Sequence, residues 1–228
     1  MKTIVLDWQD CLTRVCDEIA ALLREKPEAV LAFSTGRTAH ELFTQLGRRC
    51  AAGELSLKRA AVFAVTEFEG VPAEKSARQQ LITELAAATD LPAEAIRTPA
   101  EGYDAQITAA GGLDLAVLGL GVNAHVGYNE PATPYASLTH RQKLTDKTRR
   151  QLAATFGSAE AAPEYAWTMG IRTLVSAKRI FVLARGEEKA WAAFQMLYAR
   201  DDSVIPAAFL QLPPEVSVWL DHSAAEKL

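Results

Sequence analysis

The sequence is poor in the features that secreted, membrane-spanning and metal-stapled proteins require. Its 228 residues include three cysteines, Cys11, Cys16 and Cys50, and their odd number and irregular spacing argue against a disulfide framework and a metal-ligand set. It has no run of about 18 apolar residues, which would predict a membrane span. The apolar run at the start of the chain is too short for a signal peptide. These absences predict a soluble protein of the reducing cytosol, with no membrane partner.

Positive charge is not in excess either. The chain has 24 Lys and Arg residues against 28 Asp and Glu residues, a net charge of -4, whereas nucleic-acid-binding proteins usually carry a basic excess or a basic face. We therefore expect no nucleic-acid partner. Hydrophobic residues make up 49% of the chain, as in an ordinary globular protein, and the length favours a single domain over residues 1–228.

What the chain does have is an alternation of short apolar runs with amphipathic stretches. The run at 113–120, LDLAVLGL, is almost continuously apolar, as expected for a strand covered on both faces. Strands separated by helix-length segments need crossovers, so we predict an α/β fold with a doubly wound, mostly parallel sheet and helices on both faces, a Rossmann-like arrangement. The other predicted strands lie at 29–34, 61–65, 179–184 and 216–220, and the predicted helices at 40–49, 76–88 and 187–199.

Ligands of such sheets bind beyond the carboxyl ends of the strands, where three polar loops are predicted. The first is Ser34-Thr35-Gly36-Arg37-Thr38, between a strand and a helix. Hydroxyls, a glycine and a helix N-terminus form an anion site, because free backbone N–H groups and the helix dipole favour negative charge. The loop is therefore either a phosphate site or an ordinary helix start that Thr38 caps.

The other two loops carry groups that transfer protons. The second, residues 66–70, places carboxylates at a strand end, which is typical of either a general base or a solvated acidic loop. The third follows the strand at 113–120 and reads GLGVNAHVGYNEP. There His125 has Asn123 and Glu130 close by in sequence, and a histidine oriented by an amide and a carboxylate can move protons near neutral pH.

The third loop also carries a family resemblance. Together with its strand it resembles the signature of glucosamine-6-phosphate deaminases (isomerases), G-x-G-x-[DN]-G-H-x-x-x-N-E-P, and the Asn form is similar to the galactosamine-6-phosphate branch. The 6-phosphogluconolactonases share this fold but typically carry S-L-F-P where this chain has YNEP. Five further segments resemble motifs of the family in the same order: T-G-x-T-P at 35–39, D-E-[YW]-x-x-[LV]-P at 66–72, the helix start T-x-G at 168–170, G-x-x-K-A at 186–190 and the strand [IV]-P-A-S-x-L-x-L at 205–212.

The resemblance implies a reaction and a set of site residues. An aminohexose 6-phosphate, of galactosamine or glucosamine, is opened, isomerised and deaminated to a ketohexose 6-phosphate and ammonia, with no metal or redox cofactor. His125 promotes ring opening, and Glu130 and Asn123 orient or activate it. Some members are monomers and others hexamers, so a homo-oligomer fits the resemblance. The substrate and its phosphate are expected to contact Thr35, Gly36, Arg37, Thr38, Thr66, Gly121 and Lys189.

Two catalytic positions depart from the family pattern. The aspartate that moves a proton between C2 and C1 in the family aligns with Thr66, whose hydroxyl is too weak a base near neutral pH. Glu67 can replace it only if the loop turns its carboxylate inward, because neighbouring residues of a strand face opposite sides. At the second position, Asn123 stands where many members have Asp; an amide can orient a histidine but cannot act as a carboxylate base.

The third departure concerns the phosphate, and the three together leave several functions open. An arginine that contacts phosphate is expected near residues 153–154, where the chain has alanines, and Arg149 or Arg150 is its candidate replacement. The polar segment 131–164, which contains these positions, is predicted to be an insertion that serves as a lid.

Beside the deaminase, the sequence is compatible with a related isomerase or lactonase of another sugar phosphate, and with a non-catalytic sugar-phosphate sensor.

Overall fold

The computed structural model describes residues 1–200, 204–213 and 215–228. Within these ranges the strands are β1 (Lys2–Val5), β2 (Val30–Phe33), β3 (Ala61–Ala64), β4 (Thr66–Phe68), β5 (Ile96–Arg97), β6 (Leu115–Gly119), β7 (His140–Lys143), β8 (Tyr165–Thr168), β9 (Arg179–Ala184) and β10 (Val216–Leu220). The α-helices are α1 (Trp8–Glu25), α2 (Arg37–Ala51), α3 (Ala77–Gln80), α4 (Tyr103–Ala109), α5 (Asp146–Phe156), α6 (Ile171–Val175) and α7 (Ala190–Tyr198).

Seven strands form one sheet in the order β1-β10-β9-β6-β2-β3-β5, and every neighbouring pair is parallel. β2 and β6 are neighbours in the middle of the sheet. From β2 the chain continues to β3 and β5 on one side, and from β6 to β9 and β10 on the other. The strand order therefore reverses between β2 and β6, which is where open parallel sheets bind ligands. The predicted α/β fold with a mostly parallel, doubly wound sheet is confirmed.

Apolar side chains fill both faces of this sheet. α1 and α2 cover one face, with Val15 and Phe43 in the core beneath them, and α4, α6 and α7 cover the other, with Leu174 and Met196 in the second core. All four residues of β2 are buried, because a central strand with a helix layer on each side exposes neither face to water.

Two helical segments differ from the sequence prediction. α1, which has 18 residues, was not predicted, although its buried residues recur at helical spacing along one face. The helix predicted at 76–88 is helical, but α3 passes into a π-helical turn at Leu81–Leu85 and a 3₁₀ turn at Ala86–Ala88.

A second, smaller sheet lies outside the main one. Its strands are ordered β4-β8-β7 and pair antiparallel, with Thr66 opposite Thr168 and Arg141 opposite Trp167. The segment 131–164, predicted as a lid, contributes β7 and then α5 to this region. None of these three strands was predicted. β7 in particular is polar throughout, and only its pairing with β8 makes it a strand.

One motif-based expectation is wrong. Residues 205–212 were expected to form a strand, but Pro206–Gln211 is a 3₁₀ helix with Pro206 in its first turn. Proline fixes φ near the helical value and has no N–H for a strand ladder. The segment packs against α7, and five of its residues are buried. In the described ranges, no helix is long and apolar enough to cross a lipid bilayer.

Candidate active site

A cavity of about 490 Å³ opens at the carboxyl edge of the main sheet, at the point where the strand order reverses. The loop after β2, residues 34–38, borders one side of it, and the loop after β6 borders the other. The loop after β9, residues 185–189, and the side chains of Thr148, Gln151 and Leu152 on α5 complete the wall. The structure thus brings the first and third predicted loops together, with Thr66 as the contribution of the second, and adds a loop from β9.

His125 is held by a tight backbone turn in the loop after β6. The N–H of Gly121 donates to the carbonyl of His125, and the N–H of Ala124 donates to the carbonyl of Gly121, both at 2.9 Å. Ala124 lies in the left-handed region, with φ of 59°. A Cβ on Gly121 would lie 2.3 Å from Cδ2 and Nε2 of the imidazole, so only glycine at position 121 lets the ring occupy this place.

Glu130 lies behind the imidazole, almost fully buried. Its Oε2 is 3.9 Å from Nδ1 of His125 and accepts a hydrogen bond of 3.0 Å from Nδ2 of Asn123. Its Oε1 accepts hydrogen bonds from the hydroxyls of Thr145, at 3.1 Å, and Thr148, at 2.5 Å. The predicted group of Asn123, His125 and Glu130 is thus brought together, with the amide bonded to the carboxylate.

Burial sets the protonation state of the histidine. Removal of the side chain from water lowers the pKa of His125 to about 4, against the opposing attraction of the Glu130 carboxylate, and the positive charges of Lys189 and Lys147 lower it further. The ring is therefore neutral near pH 7. Nδ1 is buried without a hydrogen-bond partner among the described residues, which leaves the edge that carries Nε2 as the part of the ring able to meet a substrate.

A buried asparagine ties this loop to the small sheet. Nδ2 of Asn129 donates at 2.8 Å to the carbonyls of Val126 and Met169. Gly127, with φ of +58°, passes so close to Thr168 that a Cβ there would lie 2.6 Å from the threonine hydroxyl. The position of His125 therefore depends on β8 as well as on β6.

The loop after β2 forms the cationic side of the cavity. Gly36 precedes α2 with φ of 103° and ψ of -171°, a conformation that favours glycine. Its N–H donates to Oε1 of Gln80 at 3.0 Å, and Nε2 of Gln80 donates to its carbonyl at 3.3 Å. Burial, joined by the positive charge of Arg37, lowers the pKa of the half-buried Lys189 against the opposing effect of Glu188. Thr35, Gly36, Arg37, Thr38 and Lys189, the residues expected from the motifs to contact phosphate, all line the cavity.

Thr66 and Glu67 diverge as strand alternation requires. Thr66 is 7% exposed and lines the cavity. Glu67 does not line it: its Oε1 accepts from the N–H groups of Phe68 and Ala77, both at 2.8 Å, and its Oε2 from the N–H of Arg78 at 3.0 Å. The expectation that Glu67 could turn inward to replace the missing aspartate is corrected, because β4 continues through Phe68 and its pleat directs position 67 to the start of α3.

Several cavity residues were missed from the sequence. Glu41, Tyr128, Gln151, Arg185 and Glu188 line the cavity. Arg185 follows directly after β9, so the rule that ligands bind at strand ends would have pointed to it. In the described part of the chain, no group of three or more His, Cys, Asp or Glu side chains is placed to hold a metal ion.

The chain was compared with known protein families and proteins. The model of the family described as "Glucosamine-6-phosphate isomerases/6-phosphogluconolactonase" matches residues 8–219. The glucosamine-6-phosphate deaminase of Beutenbergia cavernae is 36% identical over 238 aligned positions, which cover 99% of this chain and 91% of the relative. That of Bacillus velezensis is 34% identical and covers 96% of this chain and 95% of the relative.

Solved structures are similar over the whole chain. A structure described as a monomeric glucosamine-6-phosphate deaminase superposes with a TM-score of 0.96, at 29% identity, and covers 100% of both chains. A 6-phosphogluconolactonase from Leishmania guyanensis superposes with a TM-score of 0.80 over 100% of this chain and 98% of that one. At 17% identity the second likeness concerns the fold alone.

Proposed function

Since the chain belongs to the family of glucosamine-6-phosphate isomerases and 6-phosphogluconolactonases, we propose that it isomerises and deaminates an aminohexose 6-phosphate. The C2 amino group leaves as ammonia and an oxygen atom from water replaces it, which gives a ketohexose 6-phosphate. The observation that carries this proposal is the placement of His125, with Glu130 3.9 Å from its Nδ1, in the same cavity as the cationic loop. The relatives from Beutenbergia cavernae and Bacillus velezensis are glucosamine-6-phosphate deaminases, which supports the same chemistry for this chain.

The phosphate of the substrate binds between the loop after β2 and the loop after β9. The N–H of Gly36 is bonded to Gln80, but the first turn of α2 after it supplies backbone N–H groups that the helix leaves unbonded and a positive dipole end, and the hydroxyls of Thr35 and Thr38 add donors. The cations Arg37 and Lys189 face the same space. Because the chain as a whole has a net charge of -4, attraction of a phosphate depends on this local group.

His125 moves the proton that opens the sugar ring. A neutral imidazole takes a proton from the anomeric hydroxyl and returns one to the ring oxygen, so that the cyclic aminosugar becomes the open-chain aldehyde. Glu130 stabilises the imidazolium that forms in between, and Asn123 and the two threonine hydroxyls fix the carboxylate in place. The absence of a side chain on Gly121 lets the ring lie against the backbone.

The transfer of a proton from C2 to C1 has no aspartate to carry it. Thr66 occupies the corresponding place on the cavity wall, and its hydroxyl can hydrogen-bond a sugar oxygen but cannot act as the base. The slow step of the reaction is therefore this transfer, and turnover is low relative to family members with the aspartate. Loss of a general base costs about 10²–10⁴ in rate.

The segment 131–164 serves as a lid over the bound sugar. Thr148, Gln151 and Leu152 of α5 border the cavity, and the bonds of Thr145 and Thr148 to Glu130 join the segment to the catalytic group. Limited proteolysis tests the lid: a saturating aminohexose 6-phosphate should slow cleavage within 131–164, and cleavage there at an unchanged rate would contradict it.

The function is tested by incubating the purified protein separately with glucosamine 6-phosphate and galactosamine 6-phosphate and measuring both ammonia and ketose phosphate. The two products should appear in equal amounts with at least one epimer, and a His125→Gln variant should release neither. No release above the His125→Gln background with either sugar would reject the proposal.

A second candidate is supported by Thr66. Hydrolysis of a sugar-phosphate lactone needs a base that activates water and no carboxylate at position 66, and the neutral imidazole of His125 is such a base. The loss of 6-phosphogluconolactone, followed with and without the protein, tests this candidate. Isomerisation alone would instead appear as deuterium uptake at C2 without ammonia. A sugar phosphate that binds and undergoes none of these reactions would identify a sensor.

A further inference from the structure

The guanidinium expected for the phosphate does not come from α5. Nη2 of Arg149 donates at 3.1 Å to the carbonyls of Glu160 and Ala162, outside the cavity. Arg150 is exposed and does not border the cavity. The alanines at 153–154 offer no charge. The family's arginine is thus absent, and the two candidate replacements lie elsewhere.

Arg185 places a guanidinium on the cavity wall from a different element. It follows the last residue of β9 and lies four residues before Lys189, in the same loop. The N–H of Gly186 donates to Oδ1 of Asp221 at 3.0 Å, and Gly186 has φ of 94°, so the loop has a defined backbone. Both Arg185 and Lys189 line the cavity.

Glu41 holds the guanidinium of Arg185 at this place. Nη1 of Arg185 donates to Oε1 and Oε2 of Glu41 at 2.8 and 3.0 Å. Oε2 of Glu41 also accepts from Nε1 of the buried Trp8 at 2.8 Å, which fixes the carboxylate. The guanidinium lies over the indole of Trp8, 5.8 Å from the ring centroid. Among the described residues, Nε and Nη2 of Arg185 have no hydrogen-bond partner, so these donors are available to a ligand.

We infer that Arg185 binds the phosphate of the substrate and that Glu41 is the residue that positions it. The inference rests on the proposed function for the identity of the substrate as a sugar phosphate. A guanidinium offers several N–H donors in one plane, which match two phosphate oxygens at once. Arg185 takes over the task of the arginine that α5 lacks, and approaches the phosphate from β9 together with Lys189.

Binding, rather than turnover, is the direct test. Calorimetry measures the Kd of inorganic phosphate and of glucosamine 6-phosphate for the wild type, for Arg185→Gln and for Arg48→Gln. Arg48 is an exposed arginine of α2 that does not border the cavity, so its variant controls for the loss of one positive charge. We expect Arg185→Gln to raise both Kd values about 10- to 100-fold, as the loss of charge-assisted hydrogen bonds does, and Arg48→Gln to leave them unchanged.

Two further variants separate binding from folding. Arg185→Lys keeps the charge but not the planar fork, so its Kd for phosphate should lie between those of wild type and Arg185→Gln. Glu41→Gln removes the carboxylate that holds the guanidinium in place, so it should weaken binding of inorganic phosphate in the wild-type background but not in Arg185→Gln. The proposal is overturned if Arg185→Gln, with the thermal unfolding midpoint of the wild type, binds phosphate as tightly as Arg48→Gln does. A wild type that releases no ammonia while Arg185→Gln loses phosphate affinity would reject the deaminase function and keep this role for Arg185.

Discussion

Nδ1 of His125 and Oε2 of Glu130 lie 3.9 Å apart, close enough for electrostatic attraction and too far for a hydrogen bond. The carboxylate instead accepts its hydrogen bond from Asn123. Glu130 therefore supports a positive charge on the imidazole without fixing one in the resting protein. The loss of hydration on burial lowers the pKa of His125 by more than the charge of Glu130 raises it, so the ring is neutral until a substrate offers a proton.

The first prediction concerns stability at low pH. The pKa of His125 is about 4 in the folded protein and near its ordinary value of about 6.5 in the unfolded chain. Between these values only the unfolded chain binds the proton, so the free energy of unfolding falls as the pH falls, by about 2 kcal/mol between pH 6.5 and 5. Urea unfolding of wild type and His125→Gln at both pH values checks this. The variant should lack this part of the loss; equal losses in the two proteins would contradict the assigned pKa shift.

The second prediction concerns Gly121. A methyl group there would lie 2.3 Å from the imidazole, so Gly121→Ala should displace the ring by about 1 Å and reduce kcat/KM on the order of 100-fold. The matched control for the position of the ring is Gly119→Ala, because a Cβ at Gly119 meets no atom within 4 Å; Gly119 also borders the cavity, so this control is compared by the NMR signals of His125 and not by turnover. Steady-state kinetics and the NMR signals of His125 provide the measurement. A shift of the ring signals in the control as large as that in Gly121→Ala would show that the contact is not responsible.

The central strands could be predicted from the sequence because buried strands consist almost entirely of apolar residues. β2, β3 and β6 are short, continuous apolar runs, and a strand covered on both faces needs nothing else to be recognised. β7 could not be found in this way. Its residues, HRQK, form a strand through pairing with β8, and pairing between distant segments leaves no periodic signal in a polar tetrapeptide.

The same distinction between local and long-range contacts applies to the residues of the candidate site. His125, Asn123 and Glu130 lie within eight residues, so one motif contains both the groups and their spacing. Arg185 and Glu41 are 144 positions apart and meet only because β9 and α2 are brought together by the sheet. The direction of Glu67 depended on whether β4 continued past Thr66, a matter of one residue that sequence patterns do not resolve.

The third prediction assigns Glu67 a structural role. Its carboxylate accepts three backbone N–H groups, two of them at the start of α3. Glu67→Gln keeps one oxygen and loses the charge, so the free energy of unfolding should fall by about 1 kcal/mol, as measured by urea denaturation. Because the side chain does not border the cavity, turnover should stay within about twofold of the wild type, as for a variant away from the site. A severe loss of turnover in a variant that keeps its stability would instead make Glu67 part of the catalytic machinery.

The fourth prediction restores the carboxylate that the family has at position 66. Thr66 is buried on the cavity wall. Asp branches at Cγ instead of Cβ and reaches one bond further than Thr, so Thr66→Asp should extend a carboxylate from this wall toward C1 and C2 of the bound sugar. We expect the turnover rate for ammonia release to rise at least about 10-fold. A general base contributes about 10²–10⁴ in rate, and a base introduced by substitution is expected to restore only part of it. Thr66→Asn is the matched control, because the side chain of Asn has the same shape as that of Asp but no carboxylate to act as a base. This variant should give no rise in ammonia release. If Asp and Asn at this position give the same turnover rate, the proton is carried by another group, and the cavity carboxylates Glu41 and Glu188 become the residues to replace next.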